Sequence, residues 1–285
     1  MRFESPTTTK EAAALLTGEL GDAYILAGGT DLLVRMKLGL IEPALVVDIK
    51  KIPATQEINV SDKGISIGAS VSGATMSEHA KLNKSWPGVV EAANLIGSDQ
   101  IQSRCTIAGN LCNASPAADS VPALIAAGAK AVIVGEQRRR TVPVEKIITG
   151  PGTTSLQKGE LIESILLPKQ AARSADAYLR FIPRTEMDIA VVGVGINLTL
   201  ARGVIQSARV VLGAVAPTPI LVAKAAKAIV GTKLDAQALE NLAAACSDAC
   251  DPIDDKRGTI EYRTRVAGVL ARRAAVIAFK RAGGA

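Results

Sequence analysis

Apolar and polar positions along the chain change rhythm several times, and each change marks an element. Thr9 precedes Glu11 and the run Ala12, Ala13, Ala14, Leu15 and Leu16, a pattern that predicts a capped amphipathic helix ending near Gly18 or Gly21. Short apolar runs at 24–26 and 45–49 predict strands, so the opening stretch reads as a small layered α/β unit. Further on, Ile65, Ile67, Ala69 and Val71 alternate with Ser66, Gly68 and Ser70, the period of two expected of a half-buried strand. Helical spacing returns over 89–96 and stops at Gly97. Pro116 and Asp119 then introduce another helix, with Pro122, Ala123, Leu124 and Ile125 in its first turns. Runs at 131–134, 142–144 and 161–167 predict further strands before Pro168, Lys169 and Gln170 break the pattern.

The remainder reads differently. Runs at 177–182, 189–200 and 204–215 predict three consecutive strands, the last two joined as a hairpin at Ala201, Arg202 and Gly203. Pro217 and Pro219 close that sheet, and 221–230, 236–247 and 262–280 read as three helices. Strands followed by helices indicate an α+β module. These rhythms divide the chain into 1–170, itself split near 55 into 1–55 and 56–170, and 171–285.

Composition narrows the function. Apolar residues make up 48% of the 285 positions but aromatics only 2%, so the core is built from Ala, Val, Ile and Leu. No apolar run approaches the roughly 18 residues that span a bilayer, and residues 1–6 carry no apolar stretch like a secretory signal, so a cytoplasmic protein is expected. The net charge of +6 is modest. Its densest basic run, Arg138, Arg139 and Arg140, lies between two strand candidates without aromatic neighbours, which favours a solvated hairpin over a nucleic-acid contact. The cysteines at 105, 112, 246 and 250 form no Cys-x-x-Cys pair, and the single histidine, His79, sits in a polar stretch suited to the surface, so no metal site is expected.

Two glycine-rich stretches carry the chemistry. Ala27, Gly28, Gly29, Thr30 and Asp31 follow a strand, where open α/β arrangements commonly bind ligands. Thr106, Ile107, Ala108, Gly109 and Asn110 follow about eighty residues later. Glycine removes the side chain that would keep an anion from bare backbone amides. Either stretch alone could be a simple turn; together they suggest a ligand with more than one phosphate gripped from two sides. Gly193 and Gly195 imitate a dinucleotide fingerprint, but Leu198 occupies the third glycine's place and a strand continues, so they read as packed strand glycines.

These residues give the chain a family resemblance over nearly its full length. AGGTDLL at 27–33, VDI at 47–49, IGA at 67–69, TIAGNLCNASPAAD at 106–119, MDIAVVGV at 187–194 and EYR at 261–263 resemble, in order and spacing, the medium FAD-binding subunit of molybdenum hydroxylases. That group includes carbon monoxide dehydrogenase and xanthine dehydrogenase. The resemblance implies the two-part flavin fold of the vanillyl-alcohol oxidase (PCMH) type, followed by a C-terminal domain with a three-stranded antiparallel sheet and three helices. By family likeness, Ala27, Gly28, Gly29, Thr30 and Asp31 wrap the FAD pyrophosphate, flanked by Leu32 and by Ile25 or Leu26. Thr106, Gly109 and Asn110 form the second clamp, and Asp119 hydrogen-bonds a polar part of the cofactor. Leu161 or Ile162 supplies an apolar ring contact, and Arg180 takes a position that is basic in the xanthine-oxidising relatives.

The family usually shows two adjacent glycines where this chain has Ala108 and Gly109, so Ala108 is expected in a conformation alanine accepts. Cys105, at a position often glycine, reads as a packing variant. The implied function is an electron-transfer subunit without a catalytic acid, base or metal of its own. FAD is its cofactor, and a small subunit with two-iron, two-sulfur clusters and a large subunit with the molybdenum cofactor are its partners in a heterotrimer or a dimer of heterotrimers. The alternatives are a self-sufficient flavin oxidase or reductase, and a non-enzymatic scaffold that has lost flavin.

Overall fold

A computed structural model describes residues 1–284. Its first sheet has three parallel strands in the order Arg2–Glu4, Leu45–Asp48, Ala23–Leu26. Leu45, Val46 and Val47 in the middle strand are almost fully buried, which explains why it reads as a continuous apolar run rather than an alternation. Arg2–Glu4 was not anticipated, being too short to show a period. The helix Thr9–Gly18 packs Ala12, Ala13 and Leu16 inward, and its cap is Thr8, whose hydroxyl accepts from the Glu11 amide at 3.2 Å.

The second sheet has five antiparallel strands, in the order Ile58–Ser61, Gly64–Gly68, Leu161–Pro168, Lys130–Val134, Arg139–Pro143. The alternating stretch expected to run to Val71 leaves the sheet at Gly68, where the backbone of Thr55 lies so close that an added Cβ would stand 2.3 Å from its carbonyl. Between Gly68 and Lys130 the chain runs through short helices, including Pro87–Ala93, Ile107–Asn113 and Ser120–Ala126. Gly97 takes φ +69 just beyond the first of these. One continuous apolar cluster unites these helices with both sheets.

The third sheet is antiparallel, in the order Ser174–Phe181, Val192–Ala201, Val204–Gly213, Ile220–Leu221. The expected three strands therefore gain a two-residue edge strand directly after Pro219. The prolines confine the edge but do not end the sheet. Helices Ala223–Ile229, Ala236–Asp248 and Ile260–Arg281 join this sheet in a second apolar cluster. The same sheet also meets the helix Ser120–Ala126. An added Cβ on Gly195 would lie 2.6 Å from the Pro122 carbonyl, and one on Gly213 would lie 2.6 Å from the Pro122 ring. Gly195 is thus a packing glycine, as its sequence context suggested. No helix among the described residues is long and apolar enough to cross a membrane.

Candidate cofactor cleft

The strand Ala23–Leu26 ends in a turn through Gly28 and Gly29 that leads into the helix Leu32–Lys37. Gly29 has φ +78, a left-handed conformation that favours glycine. Gly28 is required by packing, since an added Cβ would stand 2.1 Å from the Arg104 carbonyl oxygen. The carbonyls of Gly29 and Asp31 accept from the amides of Leu33 and Arg35. The amides of Gly28, Gly29, Thr30 and Asp31, by contrast, donate to no acceptor among the described residues. Four successive free donors at one turn make an anion cradle. Lys50 steadies it from below, its ammonium donating to the Ala27 carbonyl at 3.1 Å and pairing with Asp48 at 2.7 Å.

The second glycine stretch is the start of a helix rather than a loop. Thr106 caps Ile107–Asn113, its hydroxyl accepting from the Gly109 amide at 2.9 Å. Ala108 is an ordinary helical residue, as expected, while the left-handed strain in this segment falls on Ala114, the helix C-cap, at φ 50. Gly109 differs from Gly28: an added Cβ would meet only the Thr106 hydroxyl, at 2.9 Å. The Asn110 side-chain oxygen is engaged within the protein, accepting at 3.1 Å from the Ser120 amide and at 2.7 Å from its hydroxyl. Asn113 donates to the Asp31 carboxylate at 3.2 Å and so ties the two stretches together. Cys105 is buried, and burial pushes its thiol up to about 11, consistent with packing rather than reactivity.

Between the two stretches lies a cleft of about 590 Å³, within the range of small-molecule sites. It is lined by Ile25, Ala27, Gly28, Gly29, Thr30, Asp31 and Leu32 on one side and by Thr106, Gly109 and Asn110 on the other. A third wall was missed in the sequence: Thr154, Leu156, Gln157, Lys158, Gly159 and Glu160, which stand beside Ile162, one of the two residues expected to supply a ring contact. The arginine run anchors this wall. Glu160 receives Arg140 at 2.7 Å and Arg138 at 3.0 Å, accepts from the Gln157 amide at 2.9 Å, and is held down to about 2, chiefly by the Arg140 hydrogen bond. The hairpin expected at 138–140 is therefore present, but its cations are engaged rather than simply solvated. His79 likewise serves the structure, its Nδ1 accepting from the Leu82 amide at 3.1 Å to cap the helix Ala80–Ser85.

Four expected contacts do not face the cleft. Leu26 lies behind the turn, where its Cδ1 would be 2.8 Å from a Cβ on Gly29. Leu161 is fully buried in the core, and strand alternation gives the cleft to Ile162 instead. Asp119 and Arg180 pair with each other at 2.7 Å, and Tyr178 donates its hydroxyl to the same carboxylate at 3.1 Å. Burial outweighs both partners and pushes Asp119 up to about 6. These two residues fasten the third sheet to the helix Ser120–Ala126.

Comparison with known proteins gives the cleft its context. Residues 1–170 match the family model for the FAD binding domain in molybdopterin dehydrogenase, and residues 177–277 match that for the CO dehydrogenase flavoprotein C-terminal domain. The chain belongs to the FAD-binding medium-chain family of carbon monoxide and xanthine dehydrogenases. Within this flavoprotein family, the carbon monoxide dehydrogenase medium chain of Hydrogenophaga pseudoflava is 32% identical over 98% of each chain. The glyceraldehyde dehydrogenase medium chain of Sulfolobus acidocaldarius is 28% identical over 93% of each. A solved structure of reconstituted CO dehydrogenase from Oligotropha carboxidovorans superposes with a TM-score of 0.94 at 33% identity, over 99% of this chain and 98% of that one. The chain thus carries an FAD-binding domain and is the flavoprotein subunit of an oxidoreductase complex whose substrate site lies in another subunit. The residues fit the cofactor, with a free amide cradle suited to a diphosphate, apolar walls suited to rings, and no group of metal ligands among the described residues.

Proposed function

We propose that the cleft holds FAD with its diphosphate on the amides of Gly28, Gly29, Thr30 and Asp31, and that the chain relays electrons from a partner's two-iron, two-sulfur clusters to an external acceptor. A small iron–sulfur subunit and a large molybdenum-cofactor subunit complete the assembly, as a heterotrimer or its dimer in the cytoplasm. Residues 1–170 form the FAD domain, in subdomains 1–55 and 56–170, and 171–285 the C-terminal domain. Bound flavin supplies redox chemistry that no side chain in the cleft offers. The chain's own residues bind and orient: the turn amides neutralise phosphate, Asn113 holds Asp31 in place, and Ile25, Leu32 and Ile162 present apolar surface.

The observation that carries this reading is the pairing of four free amides with Gly109. A glycine inside a helix costs about 1 kcal/mol relative to alanine, and the protein's own atoms leave space for a side chain there apart from the Thr106 hydroxyl. We read the open side of Gly109, away from the Thr106 hydroxyl, as room for the cofactor. Gly109→Val is expected to retain the fold, read by circular dichroism and melting, and to lose most of its flavin, read by the flavin-to-protein absorbance ratio. Full flavin content in that variant would show that the cofactor lies elsewhere.

A further inference from the structure

The helix Leu32–Lys37 buries none of its residues. Leu33, Val34, Leu38 and Leu40 leave 51%, 53%, 66% and 67% of their surfaces exposed. Single exposed apolar residues are ordinary, but four within eight consecutive positions form a patch of the kind that marks an interaction site. The helix is also far shorter than the dozen or so residues that sustain an isolated helix in water, and helices in folded proteins owe most of their stability to a buried apolar face. Here the amino end is held by the cofactor turn, through Leu33 to the Gly29 carbonyl and Arg35 to the Asp31 carbonyl. The carboxyl end closes on itself at Gly39, φ +66, with the Leu40 amide donating to the Arg35 carbonyl. Its outward face meets solvent.

Charge indicates what covers that face. Of the two cations in the last turn, Arg35 lines the cleft, whereas Lys37 is exposed beside the apolar patch and has no ion-pair partner among the described residues. A complementary surface has an apolar centre and a rim of carboxylates. Position indicates the partner. The helix continues the cofactor turn, and six residues extend about 9 Å, so anything seated on it stands beside the cleft.

We infer that residues 33–40 form the docking surface for the electron-donating iron–sulfur subunit of the complex, which meets it with an apolar patch rimmed by acidic residues. This choice of partner rests on the FAD-relay reading above. A second copy of this chain and an acidic membrane surface are the competing occupants.

The test uses the complex purified through this chain from cells that co-express its partner subunits. Leu38→Asp/Leu40→Asp carries the proposal because neither side chain lines the cleft. Lys37→Glu tests the charge rim, and Ile253→Asp, 70% exposed on the C-terminal part, is the control. The double variant is expected to melt like the wild type, keep its flavin and lose iron–sulfur absorbance from the purified complex by at least about tenfold. Lys37→Glu should lower the iron recovered and make what remains less sensitive to salt, whereas Ile253→Asp should change nothing. Wild-type iron recovery by the double variant would overturn the inference. So would a defect confined to self-association in size-exclusion mass measurements, or to binding of phosphatidylserine vesicles. A wild-type chain without flavin would refute the relay reading, while iron recovery would still report on docking.

Discussion

Gly28 and Gly109 look alike in the sequence and have different causes in space. Gly28 lets the Arg104 carbonyl in, whereas Gly109 faces the open cleft. Only the fold separates a glycine crowded by backbone from one that borders a cleft. Asp119 and Arg180 show the same limit: residue type and family position suggest cofactor contacts, but the two carry a buried pair between helix and sheet. Asp119→Ala would leave the Arg180 guanidinium buried without its counter-charge. It is expected to cost about 3–5 kcal/mol, read as a fall in the denaturant midpoint. Ala108, by contrast, was legible from the sequence, because alanine belongs in a helix and the structure gives it one.

At the scale of elements, periodicity located every long strand and helix of the C-terminal part, because those segments have a clean apolar face. It missed Arg2–Glu4 and Ile220–Leu221, whose three and two residues are too few to show a period. It also read the segment at Thr106 as a loop, since glycine weakens a helical pattern that capping by Thr106 restores. The wall at 154–160 had no apolar signature at all; it is held by Arg138, Arg140 and Glu160, and ion pairs between distant segments leave no local pattern. The hairpin at Arg202 and Gly203 was legible, and the structure adds its type: both residues have positive φ, 52 and 78, the mark of a type I′ turn. Asparagine tolerates that conformation better than arginine. Arg202→Asn is therefore expected to stabilise the chain by about 0.5–1 kcal/mol, measured as a raised melting temperature with flavin content unchanged.

The whole molecule is joined by groups that titrate. Asp176, on the third sheet, accepts from the Val89 amide at 3.0 Å at the start of the helix Pro87–Ala93, and burial pushes it up from 3.8 to about 7. In the fold it keeps a proton that the unfolded chain releases near pH 4, so its contribution to stability is full below that pH and is lost as pH rises through 7. Asp119, raised to about 6, acts in the same direction. Glu160, held near 2, acts in the opposite one: its contribution is present above about 4.5 and fades toward pH 2. The melting temperature is therefore expected to peak in mildly acidic solution and decline toward pH 8. Asp176→Asn, which keeps an acceptor for the Val89 amide, should flatten the upper part of that decline. The hydrogen bond from Asn113 to Asp31 has a further consequence, in the timing of synthesis. It joins residues 82 positions apart, and the third wall of the cleft arrives only with Glu160 and Ile162. At about 5–20 residues per second, a ribosome makes the flavin turn many seconds before the segments that complete its grip. On the proposed reading, the cleft is complete for its cofactor only after Glu160 and Ile162 have been made.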